Sequence, residues 1–195
     1  TGKIIQPNAK PGDIRYVDVN GDGIIDNNDR TYVGSPWPKL QTGVNFNASY
    51  KSFTLGLMLY GSFGNKLFNG VRSVMDKFDD NSNYRRGINP WTPENPDATF
   101  PRIAYSNELG IQFNTRGDID RWLENGSFVR LRNLEIGYNL PTGFLEKLGF
   151  GHARVYVSGQ NLFTITRYTG LDPDVVGPSI LERGHDAGAY PASRV

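Results

Sequence analysis

Between Thr42 and Tyr50, the apolar residues Val44, Phe46, Ala48 and Tyr50 alternate with Gly43, Asn45, Asn47 and Ser49, and nothing else restricts the fold of this chain so tightly. After Lys51-Ser52 the alternation resumes, with Phe53, Leu55, Leu57, Leu59 and Phe63 opposed to Thr54, Gly56, Met58, Tyr60 and Ser62. A period of two belongs to a strand, whose successive side chains point to opposite faces. If Lys51-Ser52 is a two-residue turn, Tyr50 pairs with Phe53, Ala48 with Leu55, Phe46 with Leu57 and Val44 with Leu59. The apolar faces then coincide, whereas a slip of one residue would set apolar against polar. The spacing therefore predicts an antiparallel hairpin in a single register.

Two more strands are legible further on. From Phe128 to Leu140, Leu134, Ile136, Tyr138 and Leu140 alternate with Asn133, Glu135, Gly137 and Asn139, although Arg130 and Arg132 share the parity of the apolar set. From Ala153 to Phe163, Val155 and Val157 oppose Arg154, Ser158 and Gln160. The connection Pro141 to His152 has room for one helical turn around Phe144-Leu145-Glu146-Lys147-Leu148. From Gly64 to about Asn125 periodicity is lost and Gly, Asn, Asp and Pro dominate, as in Asp79-Asp80-Asn81-Ser82-Asn83 and Asn89 to Pro96. A structureless stretch of that length is unusual inside a compact domain.

Short and long connections thus alternate. That is the pattern of an all-β, antiparallel up-and-down membrane barrel, with short turns on one side, long extracellular loops on the other, and strands of about nine to eleven residues. Tyr50, Phe53 and Tyr138 flank the short connections, and Phe63 and Phe163 lie at the opposite ends, where aromatic girdles sit. The chain's 23 glycines and 12% aromatic content also favour sheet over helix. A mean hydropathy of −0.48 excludes a helical membrane protein. It does not exclude a barrel, whose alternating strands average to a polar value.

Ahead of the strands lies the run Asp18-Val19-Asn20-Gly21-Asp22-Gly23-Ile24-Ile25-Asp26-Asn27-Asn28-Asp29. Oxygen-bearing side chains fall at its first, third, fifth, ninth and twelfth places, with Gly23 at the sixth, where the backbone must turn sharply. A calcium ion needs six to eight oxygens, and short side chains at alternating places let one tight loop surround it. Asp18, Asn20 and Asp22 are the expected side-chain ligands, Ile24 the backbone carbonyl ligand, Asp29 the closing carboxylate, and Asp26 a direct or water-mediated ligand. The other reading is an Asx-rich turn without a metal, since the same residues populate ordinary turns. The entering segment Ile14-Arg15-Tyr16-Val17 is β-branched and aromatic and favours a strand over the helix of an EF-hand, so the expected calcium is structural.

Other chemistry is sparse. A net charge of +1, from 21 basic and 20 acidic residues without a basic run, gives no reason to expect a nucleic-acid partner. The absence of cysteine excludes disulfides, thiolate zinc sites and a cysteine nucleophile. His152 and His185 are too far apart in sequence to suggest a metal pair. Asp118, Asp120 and Glu124 resemble a hydrolase pair less than a solvated loop face, and no nucleophile elbow or phosphate loop occurs, so an enzyme is not expected. Trp37, Trp91 and Trp122 lie in loops, where an indole either stacks on a sugar substrate or anchors the loop's packing.

Several segments resemble, in order along nearly the whole chain, the C-terminal region of SusC/RagA-type TonB-dependent transporters. They are Gly12 to Tyr16 with the calcium loop, Arg30 to Pro36, Tyr60 to Lys66, Arg121 to Asn133, and Val155 to Thr166. The resemblance implies a 22-stranded barrel in the bacterial outer membrane, closed by an N-terminal plug. It also implies import of glycan or peptide fragments with a SusD-type surface lipoprotein, driven by TonB. The chain itself holds no plug, no TonB-contacting segment and only the last strands but one, and it stops at Ala192-Ser193-Arg194-Val195 near where a final strand would begin. Four or five strands cannot close a barrel, so the expectation is a piece of a longer polypeptide whose remaining strands and plug complete it in lipid. The alternative is a secreted calcium-binding β-sandwich that binds polysaccharide or mediates adhesion.

Overall fold

The computed structural model describes residues 4–78, 83–147, 149–175 and 182–188. Its elements are β1 (Leu40–Tyr50), β2 (Phe53–Phe63), β3 (Lys66–Asn69), α1 (Gly70–Met75), α2 (Gln112–Thr115), β4 (Leu123–Asn125), β5 (Phe128–Asn139), α3 (Thr142–Glu146), β6 (Arg154–Thr166) and β7 (His185–Asp186). They fall into two compact units, one of Thr1–Gly34 with Asn69–Leu123, the other of Ser35–Phe68 with Glu124–Val195.

The second unit carries a four-stranded antiparallel sheet of order β1-β2-β5-β6. The β1–β2 register is the one the alternation predicts, with Tyr50 on Phe53, Ala48 on Leu55, Phe46 on Leu57 and Val44 on Leu59. Lys51, at φ 52°, takes the left-handed conformation that a tight hairpin turn needs. The second short connection holds the expected helical turn at α3, although Leu148 lies outside the described residues. Both short connections lie at one end of the sheet, where the Asn139 amide donates to the Ser52 carbonyl and the Leu140 amide to that of Ala153.

The parity of Arg130 and Arg132 has a structural cause. Met58 pairs with Asn133 but Leu59 with Leu131, which leaves Arg132 as an extra residue on β5. A bulge of one residue exchanges the faces of everything beyond it. Leu131 and Val129 thereby join the apolar set of Leu134, Ile136 and Tyr138, and Arg130 comes opposite Tyr60 on the polar side. The irregularity continues into β6 beside the left-handed Asn161, at φ 53°.

On one face, Val44, Phe46, Phe53, Ile136, Val155, Val157, Phe163 and Ile165 are all exposed, Val157 at 75%. On the other, Arg154 donates to Glu135 at 2.7 Å and to Thr54 at 2.8 Å. Its guanidinium crosses Gly137, where a Cβ would lie 2.5 Å from Arg154 Nη2 and 2.6 Å from Thr54 Oγ1. Arg132 stacks 3.9 Å from the centre of the Tyr60 ring, whose hydroxyl accepts from Gln41 at 2.8 Å. Arg130 donates to Thr164 and pairs with Asp172 and Asp174. A smaller sheet of order β4-β3-β7 adjoins these strands in sequence, with Tyr168 hydrogen-bonded to the buried Asp186.

The first unit corrects the expectation of a bare loop from Gly64 to Asn125. That stretch contains β3, α1, α2 and β4 and has a core of its own, with Phe78 and Trp122 fully buried and Ala104 and Ile111 nearly so. Phe78 stacks on Tyr84 and tilts against Phe100, while the buried Asp76 carboxylate accepts from Arg72 and Arg85. Single apolar and aromatic side chains scattered among turn residues have no period, so this core left no mark in the pattern. Residues Asp79 to Ser82 of the polar run, and Ala192 to Val195 at the chain end, lie outside the described residues.

Candidate functional site

Loop 18–29 folds back on itself through its own carboxylates. Asp18 accepts from the amides of Gly21 and Gly23, both at 2.7 Å, and those two glycines take left-handed φ values of 79° and 80°. The turn expected at Gly23 is therefore formed. Asn20 accepts from the Asp22 amide at 3.0 Å and donates to Asp22 Oδ2 at 2.9 Å. Asp26 caps a 3-10 turn over Asn27–Asp29, and Asp29 reaches back to accept from the amides of Asp26 and Val19, both at 2.8 Å. The amide of Asp26 is the main cause that holds the Asp29 carboxyl below the ordinary carboxylate range. Ile24, expected to act through its carbonyl, leaves its side chain in solvent.

This arrangement suits a hard cation in its donors but does not gather them. Each carboxylate oxygen has two lone pairs, and an amide uses one, so Asp18 and Asp29 keep capacity for an ion. Among the described residues, no three His, Cys, Asp or Glu side chains converge as a ready metal cluster.

The stem before the loop departs from expectation. Ile14 to Val17 is not a strand. Its backbone bonds go to side chains instead: the Ile14 amide donates to Asn114, while Gln6 accepts from the Tyr16 amide and donates to the Ile14 carbonyl. Burial pushes the Tyr16 phenol up to about 12, and its hydroxyl donates to the Phe113 carbonyl at 2.7 Å. The Asp13 side chain, almost wholly buried, pairs with Arg102 at 2.6 Å and accepts from Asn114 at 2.7 Å. Arg102 and Lys10 together draw the Glu108 carboxyl down to about 2, Arg102 contributing most. Past the loop, Arg30 pairs with Asp118, whose carboxyl is held near 2 chiefly by Arg116. Asp13 falls within the segment Gly12 to Tyr16 that carries the resemblance, but none of Gln6, Arg102 or Asn114 is marked by any motif, and Asn114 lies 101 residues from Asp13.

The three tryptophans have different surroundings. Trp122 has no exposed surface, donates through Nε1 to the Arg116 carbonyl at 2.9 Å, and carries Arg72 and Arg121 over its ring. Of the two roles open to it, anchoring is the one seen. Trp91 lies close over Gly12, where any side chain would collide with its ring. Trp37 is half exposed with the Arg183 guanidinium 4.7 Å from its ring centre. Asp118 serves Arg30 and Arg116, and Glu124 accepts from both the amide and hydroxyl of Thr169.

An antiparallel up-and-down sheet with one exposed apolar face, one polar face and alternating short and long connections defines a piece of a transmembrane β-barrel. No family model matches the chain. It is 35% identical over 192 residues to TonB-dependent receptor P3 of Formosa agariphila, a match covering 95% of the chain and 18% of that receptor. To TonB-dependent receptor SusC of Bacteroides thetaiotaomicron it is 28% identical over 197 residues, covering 97% of the chain and 17% of the receptor. Its fold superposes on a chain of the RagAB peptide transporter with a TM-score of 0.61 and 29% identity, over 72% of this chain and 15% of that one.

The homologues of this chain are thus TonB-dependent receptors, SusC among them, and its fold matches part of the RagAB transporter barrel; receptors of SusC/RagA type are outer-membrane proteins. The chain spans less than a fifth of the length of the curated relatives it matches.

Proposed function

We propose that the polypeptide to which this chain belongs imports peptide or glycan fragments across the outer membrane with a SusD-type lipoprotein, using energy delivered by TonB. The observation that carries this reading is similarity to TonB-dependent receptors along 95% of the chain, at 35% identity. The exposed apolar face supports it independently, because such a face suits lipid and the polar face suits a water-filled lumen. The role of this segment is to supply strands to the barrel wall, not catalysis. A host lacking the full-length gene should lose uptake of a labelled peptide or oligosaccharide, and TonB depletion should have the same effect. Undiminished uptake of every oligomer class the host consumes would overturn the assignment.

The same proposal gives loop 18–29 a structural calcium ion, held by Asp18, Asn20, Asp22, the Ile24 carbonyl, Asp26 and Asp29, on the extracellular side. The loop precedes β1 at the end of that strand opposite the short turn, which is the side of long loops in an up-and-down barrel. Its support is the complete spacing of oxygens and the formed turn at Gly23. Calorimetric titration of the full-length receptor should show calcium binding that Asp18→Ala with Asp22→Ala abolishes; unchanged binding would remove the site. Trp37, half exposed, is the tryptophan we propose for substrate stacking.

A further inference from the structure

Three backbone segments far apart in sequence interlock at the end of β1 and β2 opposite the Lys51-Ser52 turn, all within the second unit. The Lys66 amide donates to the Ser35 carbonyl and the Lys39 amide to that of Phe63, both at 2.8 Å, while the Phe68 amide donates to the Gly184 carbonyl at 2.7 Å. Gly184, at φ 82°, fits so closely that a Cβ there would lie 2.5 Å from Pro36 Cβ. These contacts bring the Arg183 guanidinium over the Trp37 ring, 4.7 Å from its centre, with Lys39 and Lys66 on the adjoining segments. The charge is one-sided. Among the described residues, Arg183, Lys39 and Lys66 form no ion pair, whereas Arg130, Arg132 and Arg154 of the same unit each have a carboxylate partner. Glu182, next to Arg183 in the chain, is exposed and pairs with none of them.

A guanidinium resting on an indole spends its face on the ring and keeps its in-plane N–H donors for an acceptor. Trp37 is half exposed, so part of its apolar surface stays open beside those donors. An apolar plate next to a planar fork of donors, in a positive field, matches a pyranose ring that carries a carboxylate. The C–H face of the ring covers the indole, and the carboxylate takes the guanidinium in a bidentate pair. A neutral sugar would leave the guanidinium without an acceptor, and an acidic peptide side chain brings no ring to the indole. We propose that Trp37 and Arg183 form a binding subsite for acidic sugars, with Lys39 and Lys66 supplying the field that draws them in. The subsite lies on the side of the long loops, where a solute from outside arrives. It rests on the import reading above, in which Trp37 stacks on substrate, and adds the charge that the substrate carries.

The test is calorimetric titration of the purified full-length receptor with three probes: tetragalacturonate, the neutral galactose tetramer and tetraglutamate. Tetragalacturonate should bind most tightly. Arg183→Gln should weaken that binding about tenfold, the usual worth of a charged hydrogen bond, and leave the neutral tetramer unchanged. Trp37→Ala should weaken it as well, and Lys66→Gln less, in step with a loss of affinity as salt is added. All three side chains are at least partly exposed, and gel mobility confirms that each variant folds. Equal affinity for the acidic and neutral tetramers, or acidic binding that survives both Arg183→Gln and Trp37→Ala, would overturn the subsite. Tetraglutamate bound as tightly as tetragalacturonate would show a cationic patch without sugar recognition, and would overturn it too. None of these results bears on import itself, which the gene-deletion and TonB-depletion tests decide separately.

Discussion

Replacing Phe46 by arginine in the full-length receptor should destabilise the inserted barrel, whereas the same replacement at neighbouring Asn47 should be tolerated. Phe46 stands near the middle of β1 opposite Leu57, on the exposed apolar face, and is itself 49% exposed. A strand of 11 residues, rising about 3.3 Å per residue and tilted about 45°, spans roughly 25 Å of apolar thickness. Its central residue therefore lies near the bilayer midplane, where arginine on the lipid face costs about 2–4 kcal/mol. At about 1.4 kcal/mol per factor of ten, that reduces the folded-to-unfolded ratio by about 30-fold to 700-fold. Asn47 points the other way, opposite Gly56, into the polar side where an added charge stays hydrated. The assay is urea-dependent unfolding of receptor in lipid vesicles, read by the gel-mobility difference between folded and unfolded barrel. Equal damage from the two substitutions, or greater damage at Asn47, would mean the apolar face does not meet lipid.

Three further outcomes follow from packing and charge. Gly137→Val should displace Arg154 from Glu135 and Thr54, since the new Cβ would meet the Arg154 guanidinium and the Thr54 hydroxyl, and should lower urea resistance while the neighbouring Ile136→Val changes little. Trp122→Ala should destabilise the first unit by about 3–5 kcal/mol, the usual loss for a buried aromatic, measurable as faster proteolysis between Asn69 and Leu123 while the sheet stays protected. Glu108, held near 2 mainly by Arg102, binds fewer protons when folded than when unfolded. Its contribution should be complete above the ordinary carboxylate range, about 4.5, and be lost as pH falls towards about 2. Glu108→Gln should flatten that part of the acid-unfolding curve, and an unchanged curve would show that the pairing adds no stability.

Residue order alone settled the features that rest on short-range periodicity. The β1–β2 register follows from matching two apolar faces across a two-residue turn, because a one-residue slip would invert every side chain. The turn at Gly23 was likewise legible, since it acts within twelve residues of chain, whereas the bonds of Asp29 to the amides of Val19 and Asp26 were not expected of a closing metal ligand. Tertiary structure alone decided the rest. The polar placement of Arg130 depends on a bulge at Arg132, which shows only in the pairing of β5 with β2 and β6, both of which shift register there. Ile14 to Val17 has strand-forming residues but no strand to pair with; Gln6 and Asn114 satisfy its backbone amides instead. Trp122 became a core anchor because Arg72, Arg116 and Arg121 gather around it. Contacts made a hundred residues apart leave no period in the chain, so what surrounds loop 18–29 could be learned only once the chain was folded.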